Sequence, residues 1–173
     1  MTGKSAGDAR PGCLALRRET PEDETFLRDL YVSMRWEEMA QLADWSDTQK
    51  VTFLHQQFGA QRTHYANAYY DADFSIVELQ GKAIGRVAVF RNNSTDIRVV
   101  DIGFLPGWRN RGFGTTLLRG LFAEGKASSR SVSVHVEIFN PARRLYERLG
   151  FRQKSASGPY LLMEWRSGDV DAE

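Results

Sequence analysis

The stretch "CLALRRE", residues 13–19, alternates apolar and polar side chains, as a short strand with one buried face does. Thr20 then stands as a helix N-cap, with Pro21 at the first helical position and acids in the first turn. Behind it Phe26, Leu27, Leu30, Tyr31 and Met34 share one face at helical spacing. A second amphipathic helix opens at Ser46, with Val51, Leu54, Phe58, Gln61 and Tyr65 recurring along one side. The segment between them, "RWEEMAQLADW", is expected to be a turn or loop. From residue 73 the period drops to two. "DFSIVELQ", "AIGRVAVFR" and "DIRVVDIGFL" read as strands, joined by turns at "GK" and "NNST" into an antiparallel meander. Helical spacing returns in "TTLLRGLFAEGKA", a β-branched strand follows in "SVSVHVEIF", and "PARRLYERLGF" is a helix closed by Gly150. "GPYLLMEW" is the last strand. The resulting order, β-α-α-β-β-β-α-β-α-β, is that of a mixed α/β fold around one central sheet.

Composition narrows what such a fold does. With 173 residues the chain is long enough for one domain with a proper core. Its formal net charge of +1 gives no global pull toward nucleic acid or an anionic membrane, so any anion site must be local. No apolar run approaches the ~20 residues of a membrane span. Cys13 is the only cysteine, which excludes an intramolecular disulfide and fits a reducing, cytoplasmic setting. Residues 1–12 are expected to be a flexible leader and the acidic residues 167–173 a flexible tail, around a single domain at 13–166. No His, Cys, Asp and Glu spacing suits a metal ion, so none is expected.

The local anion site is legible at residues 107–118, "GWRNRGFGTTLL". A strand runs into this turn and a helix leaves it near Gly112. A helix N-terminus offers unpaired amides and partial positive charge, which suit a phosphate. Gly112 and Gly114 admit close approach of an anion, and Arg109 and Arg111 add positive charge at the rim. The dinucleotide pattern G-x-G-x-x-G fails because residue 117 is Leu, and no Gly-Lys-Ser/Thr follows to make a P-loop.

Downstream, "HVEIFNPARRLYERLGF" (residues 135–151) completes a second motif. Together the two stretches resemble the GCN5-related N-acetyltransferase (GNAT) superfamily. Arg109, Gly112 and Gly114 match its acetyl-CoA signature [Q/R]-x-x-G-x-[G/A]. Asn140, Ala142, Leu145-Tyr146 and Gly150-Phe151 match its later block. The match is sharp over residues 97–151, and residues 14–96 agree only in element order.

The resemblance implies a central, mostly antiparallel sheet of six to seven strands with helices on both faces, and acetyl-CoA as co-substrate. It implies a β-bulge in the fourth strand, for which Gly103 is the candidate, and a pantetheine arm lying against the backbone of Phe104 and Leu105. The pyrophosphate would rest on the amides of Arg109, Asn110, Arg111, Gly112, Phe113, Gly114 and Thr115, with Asn140 and Arg143 as further contacts. Tyr146 corresponds to the tyrosine that protonates the departing thiolate, and a phenol is protonated at neutral pH. His135 stands where similar ribosomal-protein acetyltransferases carry a catalytic Glu, which makes it a candidate base. Asp101, Glu137 and Glu38 compete for that role.

The acceptor wall implied by the fold, the first two helices and the loop between them, contains Tyr31, Arg35, Trp36, Glu37, Glu38, Met39, Trp45, His64, Tyr65, Tyr69 and Tyr70, and Asp101 is a further candidate acceptor contact. An Arg35 clamp on a carboxylate and a Glu38 contact to an ammonium would suit an amino acid or a peptide N-terminus. The expected activity is acetyl transfer to a primary amine of a small molecule, amino acid or peptide by direct attack in a ternary complex. A catalytically silent acyl-CoA sensor or interaction module is the alternative, and a homodimer is common in such families. No nucleic-acid or membrane partner is expected.

Overall fold

The computed structural model describes residues 13–168, so the leader and the end of the tail lie outside the described residues. The elements follow in the order β1 (Leu14–Arg18), α1 (Glu24–Arg35), α2 (Asp47–Ala68), β2 (Asp73–Leu79), β3 (Lys82–Phe90), β4 (Asp96–Phe104), α3 (Phe113–Ser128), β5 (Ser131–Glu137), α4 (Ala142–Arg148), β6 (Arg152–Ser157) and β7 (Tyr160–Trp165). The seven strands form one sheet in the order β1-β2-β3-β4-β5-β7-β6. All neighbours are antiparallel except β4 and β5.

The expected caps form. Thr20 and Asp23 make a reciprocal capping box ahead of α1, with Pro21 at the first position. Ser46 and Gln49 make another at α2. Gly150 takes a φ of 91° just past α4, a left-handed conformation that ends the helix cheaply only with glycine. Three boundaries differ from the sequence reading. The β2–β3 hairpin turns on Gln80-Gly81, both with positive φ, one residue earlier than "GK". The loop after α1 contains a 3-10 helix over Trp36–Gln41. The segment 152–157 is an additional edge strand, unread because all six of its side chains are exposed and carry no alternation.

Helices cover both faces. On one face α3 and α4 bury Leu118, Leu121 and Tyr146 against Ile84, Val87, Ile97, Val99 and Val134. On the other, Leu27 of α1 and Phe58 of α2 close over Ile76 of β2 in a smaller cluster.

The sheet is irregular where it matters. Ala88 pairs with Asp101 and Val89 with Val99, so Val100 is an extra residue in β4, a β-bulge. The bulge therefore lies three residues before Gly103. Gly103 meets a different demand: a Cβ there would overlap the Met34 thioether of α1, so the glycine lets the helix sit close. The bulge also changes sides. In an unbroken strand Asp101 would share the core face of Ile97 and Val99. One extra residue turns it to the face of Arg98 and Gly103, the face that α1 covers.

Candidate active site

At the bulge the parallel pair opens. β4 and β5 pair from Asp96–Ser131 to Val99–Val134 and no further. The Leu105 amide donates to the Ile84 carbonyl of β3 (2.9 Å), so alternation turns the Phe104 amide away from β3, toward the gap left by β5. Phe104 itself is buried, packing on Phe113 with ring centroids 6.0 Å apart.

The gap leads into a cavity of about 750 Å³ between α1, α2 and the parted strands. Of the residues the sequence reading assigned to the acceptor or to proton transfer, Tyr31, Arg35, Glu38, His64, Tyr65, Tyr69, Asp101, His135, Glu137 and Tyr146 line it, whereas Trp36, Glu37, Met39, Trp45 and Tyr70 do not. Asn140 also lines it, and its Oδ1 accepts from the Ala142 amide (2.9 Å), fixing the start of α4. The glycine turn and Arg143 lie apart from this cavity, toward the start of α3 and along α4.

Charge within the cavity is arranged unevenly. Arg35 Nη1 lies 3.2 Å from Glu38 and 3.3 Å from Glu137, with the guanidinium 5.8 Å from the Tyr31 ring centroid. Arg35 and Glu38, both in the cavity lining, thus pair with each other. Burial pushes the Tyr31 phenol up; Arg35 opposes this, while Glu38, Asp101 and Glu137 add to it. Asp101 is held up from the usual carboxylate range by burial, against the pull of the Arg86 guanidinium. Tyr146 is almost fully buried, and burial, with the Asp101 charge behind it, keeps its phenol protonated well above the usual range.

His135 is differently placed. Arg98 Nη1 lies 3.2 Å from its Nδ1, and a guanidinium can only donate, so Nδ1 must accept and the ring proton sits on Nε2. Partial burial and the Arg98 charge push its pKa down. The accepting ring nitrogen is therefore already engaged by Arg98.

The turn at 106–112 has the geometry of an anion cradle. Gly112 caps α3 with a φ of 81°, and a Cβ on it would meet nothing within 4 Å. The amides at the start of this 16-residue helix point out of its end. Arg111 reaches across the Trp108 ring, 5.0 Å from its centroid. Arg109, expected at the rim, is turned inward. Its Nε donates to the Phe104 carbonyl (2.8 Å) and its Nη2 to Ser33 Oγ of α1 (3.2 Å), tying the turn to the end of β4. Arg143 pairs with Glu147 one helical turn away (2.7 Å).

Sequence reasoning missed Arg86 and Glu19, which stand behind Asp101. A single arginine inside "AIGRVAVF" was the available signal, because a charge in an otherwise apolar strand needs a buried partner. Among the described residues no group of His, Cys, Asp or Glu is placed to hold a metal ion, and no helix is long and apolar enough to cross a membrane.

No curated protein matches the sequence. Solved structures do resemble the fold. PaiA N-acetyltransferase of Thermoplasma acidophilum, in complex with coenzyme A, aligns with a TM-score of 0.67 at 16% identity, over 90% of this chain and 99% of that one. A GNAT family acetyltransferase of Elizabethkingia anophelis with acetyl-CoA bound aligns at 0.56 and 13% identity, over 88% and 97%. A spermidine N-acetyltransferase chimera from Vibrio cholerae and hSSAT aligns at 0.61 and 21% identity, over 91% and 98%. The model of the acetyltransferase (GNAT) family matches residues 35–151, from the end of α1 through the later motif. The chain therefore belongs to the GNAT family of acetyltransferases.

Proposed function

We propose that this protein transfers the acetyl group of acetyl-CoA to a primary amine of a small cationic molecule, by direct attack within a ternary complex. The observation that carries this reading is the bulge at Val100. It parts β4 from β5, turns the Phe104 amide into the opening, and sets Asp101 in the same cavity as Tyr146.

The chemistry follows from those groups. The amides of Gly112, Phe113, Gly114 and Thr115 bind the diphosphate of acetyl-CoA, with Arg111 beside them. An ammonium acceptor loses a proton to the Asp101 carboxylate, directly or through water. A carboxyl raised by burial accepts that proton more readily than an ordinary one. The free amine attacks the thioester carbonyl, and the Phe104 N–H donates to the oxygen as it gains charge. When the tetrahedral species collapses, its nitrogen releases its extra proton to water, the C–S bond breaks and the thiolate takes the proton of Tyr146. Solvent then reprotonates the phenolate and takes the proton from Asp101. Asp101 is favoured over His135 as the base, because the histidine's accepting nitrogen already faces Arg98.

A cationic acceptor is favoured by the charges. Glu38, Asp101 and Glu137 line the cavity together with Arg35, Arg86 and Arg98, so an ammonium finds carboxylates within reach of the opening. That spermidine is the substrate of one structurally similar enzyme agrees with this class. A cytoplasmic location fits the lone Cys13.

The test is calorimetric titration with acetyl-CoA, CoA and NADH, followed by a thiol-release screen of amines, amino acids and peptides. Tight binding of acetyl-CoA and CoA but not NADH, with turnover of cationic amines and a loss of about a hundredfold in Asp101→Asn, is expected. Failure to bind acetyl-CoA, or full activity in Asp101→Asn, would overturn the assignment.

A further inference from the structure

A buried arginine and a part-buried glutamate have no task in the acetyl transfer. Arg86 stands in β3 with its side chain 6% exposed, and Glu19 lies just beyond β1 at 16%. Nη1 of Arg86 is 3.2 Å from Asp101 Oδ2, and Nη2 is 3.2 Å from Glu19 Oε2. The guanidinium lies 5.2 Å from the centroid of Phe74 and 5.8 Å from that of Tyr65. Its Nε and Glu19 Oε2 make no hydrogen bond among the described residues.

Such a triad is a poor device for stability, because desolvating three charges costs about as much as their pairing returns. Its placement points elsewhere. Arg86 sits opposite Gly103, two residues from the Ala88–Asp101 pair, so the bulge swings Asp101 onto the guanidinium's side of the sheet.

We propose that Arg86 and Glu19 are positioning residues for the Asp101 carboxylate. Arg86 holds that carboxylate at the bulge, facing the acceptor. Glu19, by drawing on the same guanidinium, limits how much positive charge Asp101 feels and so sets how readily it takes the acceptor's proton. This rests on the reading of Asp101 as the base.

The physical logic is a balance of opposing effects. Burial alone favours the neutral carboxyl and works against its use as a base. An undivided guanidinium at 3.2 Å would hold it so firmly ionised that it would hardly accept a proton from an ammonium. Sharing places it between these limits. Other groups face Asp101: Tyr31 and Arg35 from α1, Glu38 from the 3-10 helix, Tyr65 from α2, Glu137 from β5 and Tyr146 from α4. Among the described residues, Arg86 is the cation in ion-pair contact with it.

The experiment is a pH titration of protein carrying carbon-13 at the aspartate carboxyls, read by NMR, with the Asp101 signal identified by its loss in Asp101→Asn. Arg86→Gln is expected to raise the Asp101 midpoint by about one pH unit or more, and Glu19→Gln to lower it by roughly half a unit. Arg86→Lys, which keeps the charge, should restore most of the midpoint. The acidic limb of kcat/KM, measured with spermidine as the acceptor probe or with the best amine of the screen, should move in step. Shifts of opposite sign support the proposal. Midpoints that stay put, or move the same way in both variants, overturn it while Asp101→Asn still reports on the base. If Arg86→Gln does not fold, the fall in Glu19→Gln decides alone. If Asp101→Asn keeps both its rate and its acidic limb, the base assignment fails and the positioning role falls with it.

Discussion

Gly112 offers the most direct test of where the coenzyme's diphosphate sits. Its φ of 81° lies in the left-handed region, and a Cβ there would meet nothing within 4 Å. A side chain therefore has room, and only the backbone and any charge are at issue. Asparagine enters left-handed conformations more readily than other non-glycine residues, so Gly112→Asn should bind acetyl-CoA within several-fold of the native protein. Gly112→Asp has nearly the same shape and adds one negative charge. Across about 6 Å at an effective dielectric of about 40, each pair of unit charges costs roughly 1.4 kcal/mol. Against the two charges of a diphosphate the penalty is about 3 kcal/mol, or roughly a hundredfold in Kd. The assay is calorimetric titration of all three proteins with acetyl-CoA at low salt, repeated near 1 M salt. Screening there shortens to about 3 Å, so the gap between Asn and Asp should shrink to a few-fold. Equal affinities for the two variants at low salt would refute the reasoning and move the diphosphate away from this turn. A gap that ignores salt would refute its electrostatic origin.

Tyr146→Phe should retain acetyl-CoA binding and lose about a hundredfold in kcat, because the thiolate must then leave without a positioned proton. Since burial holds the phenol protonated, the native enzyme should show no alkaline loss from Tyr146 below about pH 10. A Phe variant with undiminished kcat would remove Tyr146 from the mechanism. For stability, the sign at Asp23 is clear. The Arg17 fork at 2.7 Å and the Thr20 contacts hold its carboxyl near 2, against an ordinary 3.8. The stability this contributes is present above about pH 4 and lost as pH falls through 2. Allowing for the part-exposed Arg17, Asp23→Asn should cost about 1–2 kcal/mol in urea unfolding at pH 7 and far less near pH 2. A cost that stayed constant from pH 7 to pH 2 would show that the ion pair is not its source.

Much of the fold was legible in the chain because its signals are local. The caps at Thr20 and Ser46, the stop at Gly150 and the left-handed turn at Gly112 are demands of the neighbouring backbone, met by nearby residues. Helical and alternating periods likewise record which face of each element is buried, and the spacing of Arg109, Gly112, Asn140 and Tyr146 records the family. The exposed strand 152–157 escaped notice because an element that buries no side chain leaves no period.

The working geometry of the site belongs to the tertiary structure. Alternation along "DIRVVDIGF" places Asp101 with the core residues, and only the pairing of β4 with β3 reveals that Val100 is extra and that Asp101 faces the cavity. Arg109 and Arg35 read as free cations in the sequence, yet each is engaged by a group distant in the chain, Ser33 for one and Glu137 for the other. Glu19, Arg86 and Asp101 come from three strands or strand ends and meet only when the sheet assembles. A residue's type and spacing state what chemistry it can do. Whether its charge is spent inside the molecule or left for a substrate depends on partners that strand register and helix packing bring to it.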